Sequence, residues 1–210
     1  MKVMSINIAE AKPIVIGNKT ETTGIYKLPV ASAYVGVLGL QADAIISTKH
    51  HGGPDQAVYC YTQPDHDLWA ADGIRTSPGI FGENLTLSDL SSAQMVIGDR
   101  LKFGQVVLEV TSPRIPCATL ASRMGDGHFI QKFRDKAAPG YYCRVITEGT
   151  ICQGEAYEYI PFEGERVTVL ELFNNYYDQQ PTLENIRRYL RSPLAIRARK
   201  ENEKRLAKFG

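Results

Sequence analysis

An arginine and a cysteine sit three residues apart in the segment Ser112-Pro113-Arg114-Ile115-Pro116-Cys117. Pro113 and Pro116 fix two φ angles and remove two amide donors, so the segment reads as a stiff turn. The apolar run Val106-Val107-Leu108-Glu109-Val110 before it predicts a strand, and residues 118–124 after it predict a short helix. A thiol near a guanidinium and at a helix start is drawn toward thiolate, because both stabilise negative charge. Cys117 therefore reads as a nucleophile or a soft metal ligand, against the plainer reading of a buried cysteine beside a proline loop.

Three further clusters carry chemistry. His51-Gly52-Gly53 lies on a loop ahead of a predicted strand at 57–61. Its glycines let backbone amides close on an anion, although the same residues also make an ordinary tight turn with surface histidines. Phe81-Gly82-Glu83-Asn84 precedes a strand at 85–87. The Asn84 amide both donates and accepts, which suits the edge of a heterocycle, and Glu83 can act as a general acid or base. The plainer alternative is a turn capped by Asn84 with Glu83 in water. Gly140-Tyr141-Tyr142-Cys143-Arg144-Val145 opens a strand, whose period of two puts Tyr142 and Arg144 on one face. Cys60 and Cys143 read as small core residues. His50 and His51 are adjacent and cannot easily converge on one ion, so zinc is not expected. A cysteine hydrolase built from Cys117, His51 and an aspartate stays open, because such residues meet only in the fold.

The elements that must position these groups are mostly short strands. Strands are expected at 1–9, 30–37, 57–61, 85–87, 100–103, 106–110, 141–146 and 156–160, with a hairpin within 11–28. Helices are expected at 63–71, 118–124 and 130–134. This spacing predicts a mainly β barrel or sandwich with peripheral helices. From Thr168 the pattern becomes helical. Thr168-Val169-Leu170-Glu171 reads as a capping box, Thr182 as a second N-cap, and Ser192-Pro193 as a third N-cap with proline at N1. A body over 1–163 and a three-helix appendix over 164–210 follow.

Composition limits the function classes. The net charge of the 210-residue chain is +1, so no global attraction to nucleic acid or membrane is expected. The appendix is different: residues 183–210 hold nine basic and three acidic side chains. That basic face can dock an acidic reductase, gate anionic substrates, or simply be a solvated helix surface. Four cysteines without a C-x-x-C pair exclude a zinc ribbon, and no iron–sulfur run is present. Without a signal-peptide pattern or an apolar run of about 18 residues, a cytoplasmic protein with reduced thiols is expected.

Taken in order, H-G-G-P-D at 51–55, F-G-E-N-L at 81–85, G-D at 98–99, S-P-R-x-P-C at 112–117 and G-Y-Y-x-R-V at 140–145 resemble the MOSC domain, named after the C-terminal domain of molybdenum-cofactor sulfurase. The similar subgroup is the YiiM type, which carries a C-terminal three-helix domain. The resemblance implies a β-barrel of the pyruvate-kinase-insert kind. It also implies a molybdenum–molybdopterin cofactor whose metal is held by Cys117, and two-electron reduction of N-hydroxylated compounds, such as N-hydroxylated purines, to amines. On that reading Arg114 pairs with the cofactor phosphate or steadies the thiolate, and His51, Gly52 and Gly53 cradle an anionic tail. Asn84 bonds the pterin, Tyr142 and Arg144 complete the binding face, and Glu83 or His51 delivers protons. An external flavin or iron–sulfur reductase is implied as electron donor, since no Rossmann fingerprint is present, and a homodimer is allowed. A Gly-Asp pair common in the family appears here as Ala42-Asp43. The pyridoxal-phosphate domain of the full sulfurase is absent, so no pyridoxal phosphate is expected. The competing function is a non-catalytic carrier of cofactor or sulfur on Cys117.

Overall fold

The computed structural model describes residues 1–46 and 52–209. In chain order the strands are β1 (Val3–Ile8), β2 (Lys12–Ile16), β3 (Lys19–Thr23), β4 (Leu28–Val30), β5 (Ser32–Gly36), β6 (Gly39–Leu40), β7 (Val58–Thr62), β8 (Leu85–Leu87), β9 (Arg100–Phe103), β10 (Val106–Pro113), β11 (Tyr141–Thr147), β12 (Gly149–Cys152) and β13 (Glu158–Ile160). The helices are α1 (Gln63–Ala71), α2 (Ala118–Met124), α3 (Phe129–Lys136), α4 (Val169–Tyr177), α5 (Leu183–Arg191) and α6 (Ile196–Leu206). No helix among the described residues is long and apolar enough to cross a membrane.

β7 shows how the interior is divided. All five of its residues, Val-Tyr-Cys-Tyr-Thr, are buried, as a strand covered on both faces requires. Alternation sends Val58 and Cys60 into the larger core and Tyr59 and Tyr61 into a second, aromatic core. Trp69, Phe81, Phe129, Phe133 and Phe173 complete that second core. Cys143 joins Cys60 in the first, and burial pushes its thiol pKa up.

β7 belongs to an eight-stranded sheet of order β13-β9-β10-β11-β7-β8-β1-β4. Only the β7–β8 pair is parallel. A three-stranded sheet, β12-β5-β6, and the hairpin β2-β3 pack beside it. The expected closed barrel is corrected: β13 and β4 are the two ends of the sheet and do not pair. Both are three residues long, too short for a continuous ladder. The gap is bridged by a loop, where Gly154 N donates to Val3 O at 2.8 Å and Val3 N to Glu155 O at 2.9 Å.

Local signals place the helices. Thr62, Thr168 and Thr182 each cap a helix by accepting the amide of the third residue on. The expected N-cap at Ser192 is corrected. Ser192 closes α5, donating its amide and hydroxyl to Tyr189 O, and α6 begins only after Ala195. The delay has a tertiary cause: Ala195 N donates to Thr111 O at 3.1 Å, which ties the non-helical residues 193–195 to β10. Val167, Val169, Leu172, Tyr189 and Leu194 lie in the same core as the sheet strands. The helices therefore share the body's interior.

Candidate active-site cavity

A cavity of about 330 Å³ opens between the sheet, the β2–β3 hairpin and the start of α2. Its walls carry Lys27, Asp43, Gly52, Gln56, Tyr59, Gly82, Asn84, Arg114, Cys117 and Tyr142. The volume lies at the lower end of the ~300–1,000 Å³ range usual for cofactor sites.

β10 delivers Arg114 and Cys117 through the proline turn. Cys117 is half-buried at the N-cap position of α2, in extended backbone, with no side-chain cap bond. Arg114 is only 4% exposed. Its Nη1 donates to Phe81 O, and its Cζ stands 4.9 Å over the Tyr59 ring. Its Nε has no hydrogen-bond partner, and among the described residues it takes part in no ion pair. Burial works against its charge, but Tyr142, Tyr59, Cys117 and Glu83 outweigh that and hold its pKa above the ordinary value. It is a permanently charged, buried cation.

Another part of the wall is polar and bonded largely within itself. Lys27 Nζ lies 2.5 and 2.6 Å from the two Asp43 carboxylate oxygens, and Asp43 Oδ1 also accepts Ala9 N. Burial lowers the Lys27 pKa, with Asp43 acting against the shift. Asn84 Oδ1 accepts Tyr59 N at 3.1 Å, while its Nδ2 donates to Asp43 Oδ2 at 2.8 Å and Asn7 O at 3.4 Å. Asn84 thus spends both amide hydrogens on the scaffold and keeps only one acceptor site for a ligand. The Tyr59 and Tyr142 rings are 5.0 Å apart, and burial raises both phenol pKa values.

Two glycines matter through geometry. Gly52 has φ 72°, and a Cβ there would meet Ile45 at 2.8 Å. Gly82 has φ 78°, and its Cβ would lie 3.0 Å from Ile25 and 3.4 Å from Arg114 Nη1.

The structure brings Gly52, Asn84, Arg114, Cys117 and Tyr142 onto one cavity. It separates the rest. Gly53 caps the 3-10 turn at Pro54–Gln56 and is absent from the wall. His51 lies outside the described residues. Glu83, expected to deliver protons, does not reach the cavity wall. It is fully buried and off the cavity, and it accepts from Gly79 N at 2.6 Å, Phe81 N at 3.1 Å and Thr86 Oγ1 at 3.1 Å, with His66 Nε2 at 3.3 Å. By accepting from Gly79 N and Phe81 N it anchors the 79–84 loop that carries Gly82 and holds Arg114. Arg144, expected on the binding face, is also off that wall: it pairs with Asp55 and Glu109 and donates to Pro193 O and Leu194 O. Lys27, Asp43 and Tyr59 were not anticipated. Lys27 and Asp43 stand 16 positions apart, and nothing in their local pattern announces the pairing.

Comparison with known proteins agrees with this architecture. The MOSC domain family matches residues 47–158, and the chain belongs to that family. MOSC domains are associated with the molybdenum cofactor. The Bacillus subtilis (strain 168) protein YflK is 32% identical over 180 residues, covering 84% of this chain and 81% of that protein. A Gibberella moniliformis (strain M3125 / FGSC 7600) protein named as a reductase is 33% identical over 143 residues, covering 64% of this chain but 25% of that protein. The crystal structure of YiiM from Geobacillus stearothermophilus superposes with a TM-score of 0.81 at 26% identity, covering 98% of each chain.

Proposed function

We propose that the cavity binds the molybdenum–molybdopterin cofactor and that the chain is an oxidoreductase reducing N-hydroxylated compounds, such as N-hydroxylated purines, to amines. The observation that carries this reading is Arg114: a buried guanidinium with a vacant Nε–H, no ion pair among the described residues, and a place on the wall beside Cys117. A buried charge left in that state costs several kcal/mol unless a ligand supplies the counter-charge. An anionic, phosphate-bearing cofactor does so. Among the described residues no cluster of three or more His, Cys, Asp or Glu can hold a metal by itself.

In this reading Cys117 supplies a soft thiolate to the metal, and the stiff turn at Pro113 and Pro116 fixes its distance from Arg114. Gly52 and Gly82 leave room for backbone to approach the ligand. Tyr59 and Tyr142 form the aromatic floor under the guanidinium and exclude water. When bound, the cofactor supplies the two-electron couple for cleaving an N–O bond. The overall change consumes two electrons and two protons, and yields amine and water from the hydroxylamine. The electrons come from an external flavin or iron–sulfur reductase. The name of the Gibberella relative supports a reductase role.

The test is turnover. Protein produced in a cofactor-making host is given an N-hydroxylated purine and reduced viologen dye. The expected result is amine formation that Cys117→Ala abolishes. Bound cofactor without turnover overturns the reductase reading and favours the carrier, and amine formation by cofactor-free protein overturns the assignment to molybdenum.

A further inference from the structure

The C-terminal helices reach the cavity from behind, at the 3-10 turn Pro54–Gln56. This turn is three residues long and cannot hold its own position. It is fixed from outside, on one side by the sheet, where Thr111 Oγ1 donates to Asp55 O at 2.6 Å and Ala57 N to Cys143 O at 3.1 Å, and on the other by the C-terminal helices. Ile196 N, at the start of α6, donates to Asp55 Oδ2 at 2.7 Å. Arg197 Nη1 donates to Gln56 Oε1 at 2.7 Å. The other Asp55 carboxylate oxygen is ion-paired with Arg144 Nε at 3.0 Å. Arg144 in turn holds the carbonyls of Pro193 and Leu194, in the linker leading to α6. Gln56 and its neighbours Gly52 and Ala57 line the cavity.

We propose that α6 sets one wall of the cavity, with Asp55 and Gln56 as positioning residues held by Ile196 and Arg197, so that ligand affinity is controlled from the C-terminal helices. Asp55 receives the first amide of α6, which has no partner inside the helix. The helix and the loop therefore satisfy each other, and neither end is complete alone. The delayed start of α6 is part of the arrangement: the non-helical stretch 193–195, tied to Thr111 O, places Ile196 N within bonding distance of Asp55. The affinity clause rests on the cofactor reading given above, while the positional clause does not.

The experiment uses full-length protein. Hydrogen exchange at residues 52–58 is measured on cofactor-free wild type, Asp55→Ala, Arg197→Gln and Arg197→Lys. Arg197 is exposed, so its substitution leaves the core intact. Exchange in this segment is expected to rise about tenfold in Asp55→Ala and severalfold in Arg197→Gln, with β10 unchanged and Arg197→Lys restoring most of the protection. Pterin retained after expression in a cofactor-making host is expected to fall in the same order. Exchange within about twofold of wild type in both Asp55→Ala and Arg197→Gln overturns the proposal, as does a rise shared equally by β10. If exchange rises locally but wild type itself carries no pterin, the positioning stands and the cofactor reading fails.

Discussion

Replacing Glu83 with glutamine separates two roles that one carboxylate can play. As a catalytic acid it would be needed for turnover and dispensable for folding. The structure makes it an anchor: Gly79 N, Phe81 N and Thr86 Oγ1 donate to it, with His66 Nε2 at 3.3 Å, in a site of 0% exposure. Glutamine keeps one acceptor oxygen and turns an NH₂ group toward donors. At least one buried amide then loses its partner, at about 1–3 kcal/mol, and the remaining bonds lose their charge assistance. A total of about 3 kcal/mol corresponds to a fall in Tm of roughly 6–12 °C for a chain of this size. Urea unfolding followed by circular dichroism gives the free energy, and a thermal melt gives the shift. Binding is expected to weaken too, since Phe81 O is the acceptor that steadies Arg114. A variant with stability within about 0.5 kcal/mol of wild type and no turnover would refute the anchor role and restore Glu83 as an acid.

Ala42 stands at φ 66°, a left-handed conformation that glycine adopts without strain, so Ala42→Gly is expected to stabilise the fold by about 0.5–1 kcal/mol in urea titration. Asp65 is buried, and desolvation raises its pKa to about 6, against the bonds it accepts from Ser92. Its folded pKa lies above its unfolded value of about 3.9, so its contribution to stability is full below pH ~4 and is lost as pH rises through ~6. The stability of wild type relative to Asp65→Asn should accordingly fall by about 2 kcal/mol between pH 4 and 7, read from denaturation at stepped pH. Gly82→Ala meets both a positive φ and the Arg114 guanidinium, and is expected to lower cofactor content severalfold, measured as released pterin, while secondary structure stays intact.

How far the sequence could be read depended on the range of the cause. Thr168 and Thr182 announce their helices because a cap is a bond to the third residue on. Ser192-Pro193 carries the same local signal, but the long-range bond from Ala195 to Thr111 overrides it. The meeting of Cys117 and Arg114 on one cavity was legible because the proline turn fixes them three positions apart. Tyr142 and Arg144 share a strand face, yet the register shift between Val110 and Ser112 and the approach of residues 193–194 give them different surroundings. Glu83 read as a proton donor, or as a solvated side chain, because its cover, His66 and the aromatic core, comes from another element. The open sheet was hidden as well, since closure depends on whether two three-residue edge strands meet.

The central claim is that Arg114 and Cys117 hold a molybdenum–molybdopterin cofactor in one cavity. Its most direct test is the molybdenum and pterin content per chain of wild type, Arg114→Met and Cys117→Ser from a cofactor-making host. The account predicts near-stoichiometric pterin and molybdenum in wild type, at least about tenfold less pterin in Arg114→Met, and molybdenum lost in greater proportion than pterin in Cys117→Ser. Wild type without pterin, in a host that fills a known binder, would contradict it, and so would equal loading in all three proteins.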